Sequence, residues 1–477
     1  MNNFIGRIDE LRELKDLLNK NTASLVILKG RRRIGKSRLI EEFAKKEVFY
    51  FFSGIPATEK TTKQSQLDEF SRQLSAQTGL PEIQADDWSK LFLLLAEKVK
   101  RGRVVILFDE ISWMGSKDPD FLGKLKNAWD LHFKKNSRLL LVLCGSVSSW
   151  IEKNIINNTG FLGRPSLFMT LDELTLQECN QFWGKQGTSI AAFEKFKVLS
   201  ITGGVPRYLE LIDPKLSAEE NIRRLCFSKN GPLVNEFEHI FSDIFSKRNE
   251  MYKNIVMQLV KGPAMADELA EGVKLTRTGT FDDYLNDLEV SGFIARDYTW
   301  HFNTKKISKL SRYRLKDNYV RFYLKYILPS KAKIIKDRYK EVSLTLLPGW
   351  ESIMGLQFEN LVINNDNTII KLLGIRPGEV VFDNPFFQRA TTRQPGCQID
   401  YLIQTQFDTL YICEVKFSKN SVGMNIVSDM KRKIDNLKVP KHISCRPVLI
   451  HVNGVTDAVL EENYFSQIID FSQLLLQ

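Results

Sequence analysis

Short, unbroken apolar runs alternate with amphipathic stretches through the first third of the chain. Leu25-Val26-Ile27-Leu28, Val104-Val105-Ile106-Leu107-Phe108 and Leu139-Leu140-Leu141-Val142-Leu143-Cys144 are too short for buried helices and read as strands buried on both faces. Residues Arg38 to Ala44 carry apolar positions at helical spacing and predict a helix opening just after the first strand. From Asn249 the rhythm changes. Tyr252 to Val260 reads as a helix, Gly262-Pro263 breaks it, and Ala266 to Ala270 begins another. Thr276 to Thr280 can open a third helix, with Tyr284, Leu285, Leu288 and Val290 on one face, before the strand-like Gly292 to Arg296 and Tyr313-Arg314-Leu315. In Tyr319 to Tyr326, helical spacing gathers Tyr319, Phe322, Tyr323 and Tyr326 on one side, which favours core packing over a base-stacking platform. Near the end, Gln398 to Ile403 and Leu410 to Lys416 flank the turn signal Gln406-Phe407-Asp408-Thr409 and predict a hairpin.

The first strand and helix enclose Gly30-Arg31-Arg32-Arg33-Ile34-Gly35-Lys36-Ser37. Glycines at its two ends let backbone N–H groups wrap phosphate, a lysine reaches the β and γ oxygens, and a hydroxyl serves Mg²⁺. Hydrolysis also needs a carboxylate for the metal and one for water. The second strand ends in Asp109-Glu110, which supplies Asp109 toward Mg²⁺ and Glu110 toward the attacking water. The third ends in Gly145-Ser146, where Ser146 is either a γ-phosphate neighbour or part of the turn that closes a core strand.

With these motifs the first half resembles the prokaryotic, archaeal-type P-loop ATPases of the AAA+ and STAND kind. Phe4-Ile5-Gly6-Arg7, followed by Glu10-Leu11, resembles their N-terminal box, which implies Gly6 and Arg7 beside adenine. Leu162-Gly163-Arg164 resembles their arginine-bearing segment, and Gly203-Gly204-Val205-Pro206-Arg207-Tyr208-Leu209 their lid motif. The resemblance implies ATP or ADP held by Gly30 to Arg38, including Arg31, Arg32, Arg33, Ile34, Gly35 and Arg38. Arg164 and Arg207 are γ-phosphate sensors or partners of a carboxylate, and both alternatives stand. The helix, turn, helix and hairpin after the lid are similar to the winged helix of these ATPases. That places Lys274, Arg277, Thr278 and Thr280 at the start of a recognition helix, where phosphates and base edges are contacted.

Asp400 on one hairpin strand, with Glu414 and Lys416 on alternating positions of the next, puts two carboxylates and a lysine on one side. Such a set can hold one or two Mg²⁺ ions for phosphodiester hydrolysis. This segment resembles the PD-(D/E)XK nucleases, which implies Asp400 and Glu414 as metal ligands, Lys416 as the water- or phosphate-contacting residue, and Glu359 as the acid of the preceding helix. An αβ domain with surface charges remains the alternative.

The 477 residues exceed one hydrophobic core, and 43% hydrophobic content is ordinary for globular protein. No apolar run nears the roughly 18 residues of a membrane span, and Met1 to Glu13 lacks the apolar stretch of a signal peptide. The six cysteines are scattered without a paired spacing, which points to reduced, buried thiols. A cytoplasmic location and no membrane partner are therefore expected. Net charge is +11, concentrated in residues 245–344, where 20 basic residues face 12 acidic ones, while residues 345–477 hold 12 against 14. Such a basic segment points to DNA as partner, with solvated surface lysines as the alternative.

The expected fold class is α/β. A P-loop ATPase core over 1–168 is followed by a helical lid over 169–244, a winged helix-turn-helix over 245–340 and a restriction-endonuclease-like αβ domain over 341–477. The expected function is an Mg²⁺-dependent ATPase whose nucleotide state controls DNA binding and a metal-dependent DNA endonuclease. Alternatives are a STAND-like signalling switch and a DNA-binding regulator whose last domain binds a partner without cleavage. A homo-oligomer, by analogy with AAA+ rings, and a protein partner are left open.

Overall fold

The computed structural model describes residues 4–146, 149–245, 249–339, 343–392 and 394–476. The chain divides into two compact units, Met1–Leu174 and Thr175–Gln477.

The first unit is built on a parallel sheet of β1 (Ser24–Gly30), β2 (Val48–Ser53), β3 (Val104–Asp109), β4 (Leu139–Ser146) and β5 (Leu167–Leu171), in the order β2-β3-β4-β1-β5. The three apolar runs of the sequence are β1, β3 and β4, the central strands, and β3 is buried at every position. Their continuous hydrophobicity follows from helices covering both faces. On one face lie α1 (Ile8–Asn19) and α2 (Lys36–Phe43), whose Leu14, Leu39 and Ile40 pack on Val26, Val105 and Val142. On the other, α3 (Lys63–Thr78), α4 (Trp88–Lys98) and α5 (Phe121–Leu131) meet an aromatic core in which Phe70 stacks on Phe52 at 4.4 Å and Trp88 meets Phe121 edge-on at 4.8 Å. Parallel pairing brings the C-terminal ends of β1, β3 and β4 to one edge, so Gly30, Asp109 and Ser146 finish side by side.

In the second unit, one core runs through the expected lid and winged helix, from Ile201 and Val205 to Ile353. It contains α6 (Ala192–Thr202), α7 (Asn249–Gln258), α8 (Ala266–Gly272), α9 (Gly279–Val290), the hairpin β6 (Ile294–His301) and β7 (Lys306–Leu315), α10 (Asn318–Phe322) and α11 (Leu328–Ile335). Tyr319, Phe322, Tyr323 and Tyr326 are all buried. The Tyr319 hydroxyl donates to the Leu233 carbonyl at 2.7 Å and accepts the Phe237 N–H at 2.9 Å, so this aromatic face is core, not a stacking platform.

The helix-helix-hairpin order matches the expected one, but its charge is placed differently. α8 and α9 carry Asp267, Glu268, Glu271, Asp282, Asp283, Asp287 and Glu289 and no basic residue. Thr278 precedes α9 as expected, and Lys274, Arg277, Thr278 and Thr280 are exposed, but Arg277 is clamped by Asp267 at 3.2 Å and Asp282 at 3.1 Å. A helix with this charge repels phosphate. The hairpin, in turn, packs one side against the C-terminal sheet while Lys306, Ile307 and Lys309 stay exposed. Trp300 Nε1 donates to Gln404 Oε1 at 2.6 Å, Phe302 stacks on Phe386 at 5.1 Å, and Lys305 at its tip pairs with Asp408 at 3.1 Å. The segment's positive charge thus comes from the hairpin and the helices after it.

The elements that build the C-terminal sheet and flank it include α12 (Trp350–Ile363), β8 (Val380–Gln388), β9 (Cys397–Thr405), β10 (Thr409–Val415), α13 (Asn425–Asn436), β11 (Ser444–His451) and β12 (Gln467–Asp470). The sheet order is β12-β11-β10-β9-β8, antiparallel from β8 to β10 and parallel from β10 to β12. The predicted hairpin is β9–β10, and Asp408 takes a positive φ of 51° in its turn. All six cysteines are unpaired, and five are buried. Among the described residues no helix is long and apolar enough to cross a membrane.

Candidate functional site

The loop Gly30 to Ser37 leaves β1 and enters α2 through Gly35, whose φ of 89° suits glycine. Arg33 also takes a left-handed φ, 69°, a strained conformation for a side chain of this size. The first intrahelical bond of α2 runs from Leu39 N–H to Gly35 O, so the N–H groups of Lys36, Ser37 and Arg38 lack intrahelical acceptors and face the loop's hollow. Gly30 must be glycine on packing grounds, because a Cβ there would lie 2.7 Å from the Leu171 carbonyl oxygen.

Lys36 is 7% exposed, and its ammonium is held by the carbonyls of Gly30 at 3.0 Å and Arg31 at 3.1 Å, curled across the loop. The Ser37 hydroxyl donates to Asp109 Oδ2 at 2.7 Å, joining the two oxygens called from sequence as the metal pair. Glu110 follows in a left-handed conformation, φ 50°, and its N–H donates to Asp109 Oδ1 at 3.1 Å. Burial raises the Glu110 carboxyl above the usual range. Lys36 and Arg32 oppose that shift by charge and the Ser146 N–H by a hydrogen bond, whereas Asp109 adds to it. Ser146 therefore reaches this centre through its backbone, bonded to Glu110.

The other residues called as nucleotide contacts occupy varied places. Arg7, next to Gly6 with both at positive φ, is buried; its guanidinium donates to the Asp172 carbonyl at 2.6 Å and to the Ile34 carbonyl at 3.4 Å, and pairs with Glu10 at 3.0 Å. It braces the phosphate loop against the chain after β5. Arg31 pairs with Glu173 at 3.1 Å in the same bracing. Arg38 is exposed and faces Glu41 at 3.6 Å, so its side chain points away from the hollow. Arg164 is tied to Asp130 of α5 by Nε at 3.1 Å and Nη2 at 2.8 Å, and holds the Asp130 carboxyl down to about 2. That is the carboxylate-partner alternative in geometric form. Arg207, in the second unit, lies on the short helix Pro206–Leu209, exposed and paired with Glu210 at 3.2 Å.

The C-terminal carboxylates meet as the hairpin predicts. Tyr401 pairs with Cys413 across β9–β10, which sets Asp400 beside Glu414. Asp400 Oδ2 accepts the Val415 N–H at 2.9 Å, and Lys416 Nζ donates to Glu414 Oε1 at 2.7 Å. Two residues absent from the sequence-based set also take part. Lys433 of α13 inserts its ammonium against Glu414 Oε2 and within 3.6 Å of Asp400 Oδ1. Arg321 of α10 is 1% exposed, donates to the Leu315 carbonyl at 2.8 Å, and has no hydrogen-bond partner at Nε or Nη1 among the described residues. Its charge acts on Glu359. Burial and then the Asp400 charge push the Glu359 carboxyl up to about 8, against the pull of Arg321 and Lys416. Burial and then Glu414 raise Asp400 as well. Among the described residues, no group of three or more His, Cys, Asp or Glu side chains gathers at metal-holding geometry, although the charges of Asp400 and Glu414 both act on Glu359.

Lys433 had a signal in the sequence. The apolar stripe of α13 runs through Ile426 and Met430, and one turn on, at i+7 and i+3, stands a lysine. Arg321 had none, since it comes from a different segment of the chain.

A parallel sheet with its phosphate loop after β1, acids after β3 and one strand between those two defines a P-loop nucleoside triphosphatase. Residues 4–212 match the family described as an ATPase domain predominantly from Archaea, and the chain carries an ATPase domain of that archaeal family. An uncharacterised protein of Methanocaldococcus jannaschii is 25% identical over 333 residues, 69% of this chain and 70% of that protein. An uncharacterised ATP-binding protein of the same organism is 50% identical over 40 residues, 8% of this chain and 68% of its own length. Among solved structures, the Walker-type ATPase of Pyrococcus abyssi shares the fold with a TM-score of 0.52 at 18% identity, over 67% of this chain and 96% of that one.

Proposed function

We propose that this ATPase is Mg²⁺-dependent and that its nucleotide state controls a metal-dependent DNA endonuclease in the second unit. In the first unit, the N–H groups of Lys36 to Arg38 and the Lys36 ammonium receive the ATP phosphates, and Glu110 accepts a proton from the attacking water. The Ser37 hydroxyl and Asp109 carboxylate are adjacent hard oxygen donors that suit Mg²⁺. When bound, Mg²⁺ neutralises charge developing between the β- and γ-phosphates. Arg164 and Arg207 are assigned to γ-phosphate sensing only in a rearranged or oligomeric state, because each is paired to a carboxylate here.

The nuclease reading rests on one observation. Asp400 and Glu414 stand side by side on neighbouring strands, with Lys416 bonded to Glu414, and a helix carrying Glu359 precedes the sheet. The donors are carboxylate oxygens, as a divalent cation prefers, and an ammonium already lies against both. A metal held there would polarise a phosphodiester and activate water. DNA affinity is assigned to lysines left on the surface, Lys306 and Lys309 of the hairpin and Lys333 and Lys336 at α11, rather than to acidic α9. A cytoplasmic location accords with this role.

A second reading, a nucleotide-dependent switch or DNA-binding regulator whose last domain binds a partner without cutting, is favoured by the two ammonium groups, Lys416 and Lys433, that already lie against Glu414 and Asp400. Plasmid incubated with purified protein and Mg²⁺ or Mn²⁺, with and without ATP, separates the two. Metal-dependent cleavage lost in Asp400→Ala and in Lys416→Ala at unchanged ATP turnover is the expected result. Cleavage surviving both changes refutes the nuclease site, and salt-dependent DNA binding without cleavage favours the regulator.

A further inference from the structure

We infer that Lys433 is the resident counter-ion of the Asp400–Glu414 pair and that a divalent cation binds there only by displacing its ammonium. Lys433 is then a positioning residue that sets the metal affinity of the second site. The inference rests on the metal-site reading above and deepens it.

Every oxygen of the two carboxylates already has a protein partner. Asp400 Oδ2 takes the Val415 N–H at 2.9 Å, and Asp400 Oδ1 lies 3.6 Å from Lys433 Nζ. Glu414 Oε1 takes Lys416 at 2.7 Å, and Glu414 Oε2 takes Lys433. Each oxygen keeps a further lone pair, but a metal shared by both carboxylates needs the space between them, and that space opens only as a partner lying there withdraws. The Val415 N–H belongs to the strand and stays. Lys416 touches one carboxylate and is 39% exposed, whereas Lys433 bridges both and is 22% exposed. The bridging position is the one a shared cation would take.

The rest of α13 supports the assignment. Its other basic side chains pair on the surface, Lys431 with Glu462 at 3.0 Å and Arg432 with Asp429 at 2.8 Å. Lys433 alone among these three turns inward, on the stripe of Ile426 and Met430. Glu414, 2% exposed, lies next to a second carboxylate, and without a cation between them the two charges repel at low dielectric. Lys433 relieves that repulsion when no metal is bound. Its flexible four-carbon stem lets the ammonium swing away when a metal arrives.

Calorimetric titration of the full chain with Mn²⁺, without nucleotide, tests this. Binding at this site is the component lost in Asp400→Asn. Lys433→Met is expected to tighten that component by about tenfold or more, because one competing unit charge is removed at contact range. Lys433→Arg, which keeps the charge, is expected to stay near wild type. Without metal, Lys433→Met is expected to melt below wild type and to gain more in melting temperature from Mn²⁺ than wild type does. Lys433→Gln is the second neutral variant should the methionine form fold poorly. Equal or weaker Mn²⁺ binding in the neutral variants, with the component still abolished by Asp400→Asn, overturns the role of Lys433 and leaves the metal site standing. Absence of any Asp400-dependent Mn²⁺ binding in every form overturns both.

Discussion

Glu110→Gln separates nucleotide binding from turnover. The carboxylate sits beside Lys36 and Arg32, accepts the Ser146 N–H, and is buried enough to be raised above the usual range. Glutamine has the same shape, and its amide oxygen can still accept that N–H, so the unit is expected to fold unchanged. The groups that receive phosphate, the N–H donors at the start of α2 and the Lys36 ammonium, are untouched. Removing a negative charge beside anionic phosphates lowers repulsion, so ATP affinity is expected to hold or rise. Turnover loses its proton acceptor, a loss of about 10² to 10⁴ in rate. That corresponds to roughly 3 to 5 kcal/mol of barrier. Calorimetry with ATP and a phosphate-release assay, run on one preparation, measure the two quantities. Turnover within tenfold of wild type, or loss of ATP binding with intact folding, refutes the assignment of Glu110.

Gly30→Ala puts a Cβ 2.7 Å from the Leu171 carbonyl oxygen and 3.0 Å from Ile34 Cγ2, so β1 and β5 must separate or the loop must move. A lower melting temperature together with weaker ATP binding is expected, and unchanged values in both contradict the packing argument. Arg314→Met strips Asp297 and Asn360 of buried partners at 2.9 and 2.6 Å and is expected to cost about 3 to 5 kcal/mol in the second unit, read by urea unfolding. A cost under ~1 kcal/mol shows that the pair is not isolated from water. Arg164 and then Lys126 hold Asp130 near 2, below its unfolded value. A depressed carboxylate contributes stability above the unfolded pKa, and that contribution disappears as pH falls through about 2. Arg164→Ala is expected to move the Asp130 titration upward by NMR, and an unmoved titration shows that the pair is not formed in solution.

The central strands of the first sheet were legible because burial on both faces leaves no polar position in them, and the phosphate loop because few residue types can wrap an anion. The β9–β10 hairpin was legible from its turn and its period of two. The edge strand β2, mixed and half-buried, announces itself weakly. Arg7 and Arg31 read as nucleotide contacts by their place in motifs, and what the sequence did not show is that both also brace the loop, through partners Asp172 and Glu173 that lie about 140 or more residues away along the chain. The basic middle segment read as a DNA surface because net charge is a sum. The fold distributes that sum unevenly, with acids on α8 and α9 and hairpin cations spent partly on Asp297, Asp408 and the Phe387 ring.

By itself, then, the sequence determined what is local: strand and helix periods, the phosphate loop, the Asp109-Glu110 step, and the side of a hairpin shared by Asp400, Glu414 and Lys416. Only the tertiary structure decided what these groups meet. It bonded Ser37 to Asp109, curled Lys36 over its own loop, and carried Lys433 and Arg321 from other helices into the field of three carboxylates. The reason is physical. Backbone period is set by neighbours within a few residues, whereas the partner of a buried charge is chosen by whatever distant segment the packed core brings within hydrogen-bond reach.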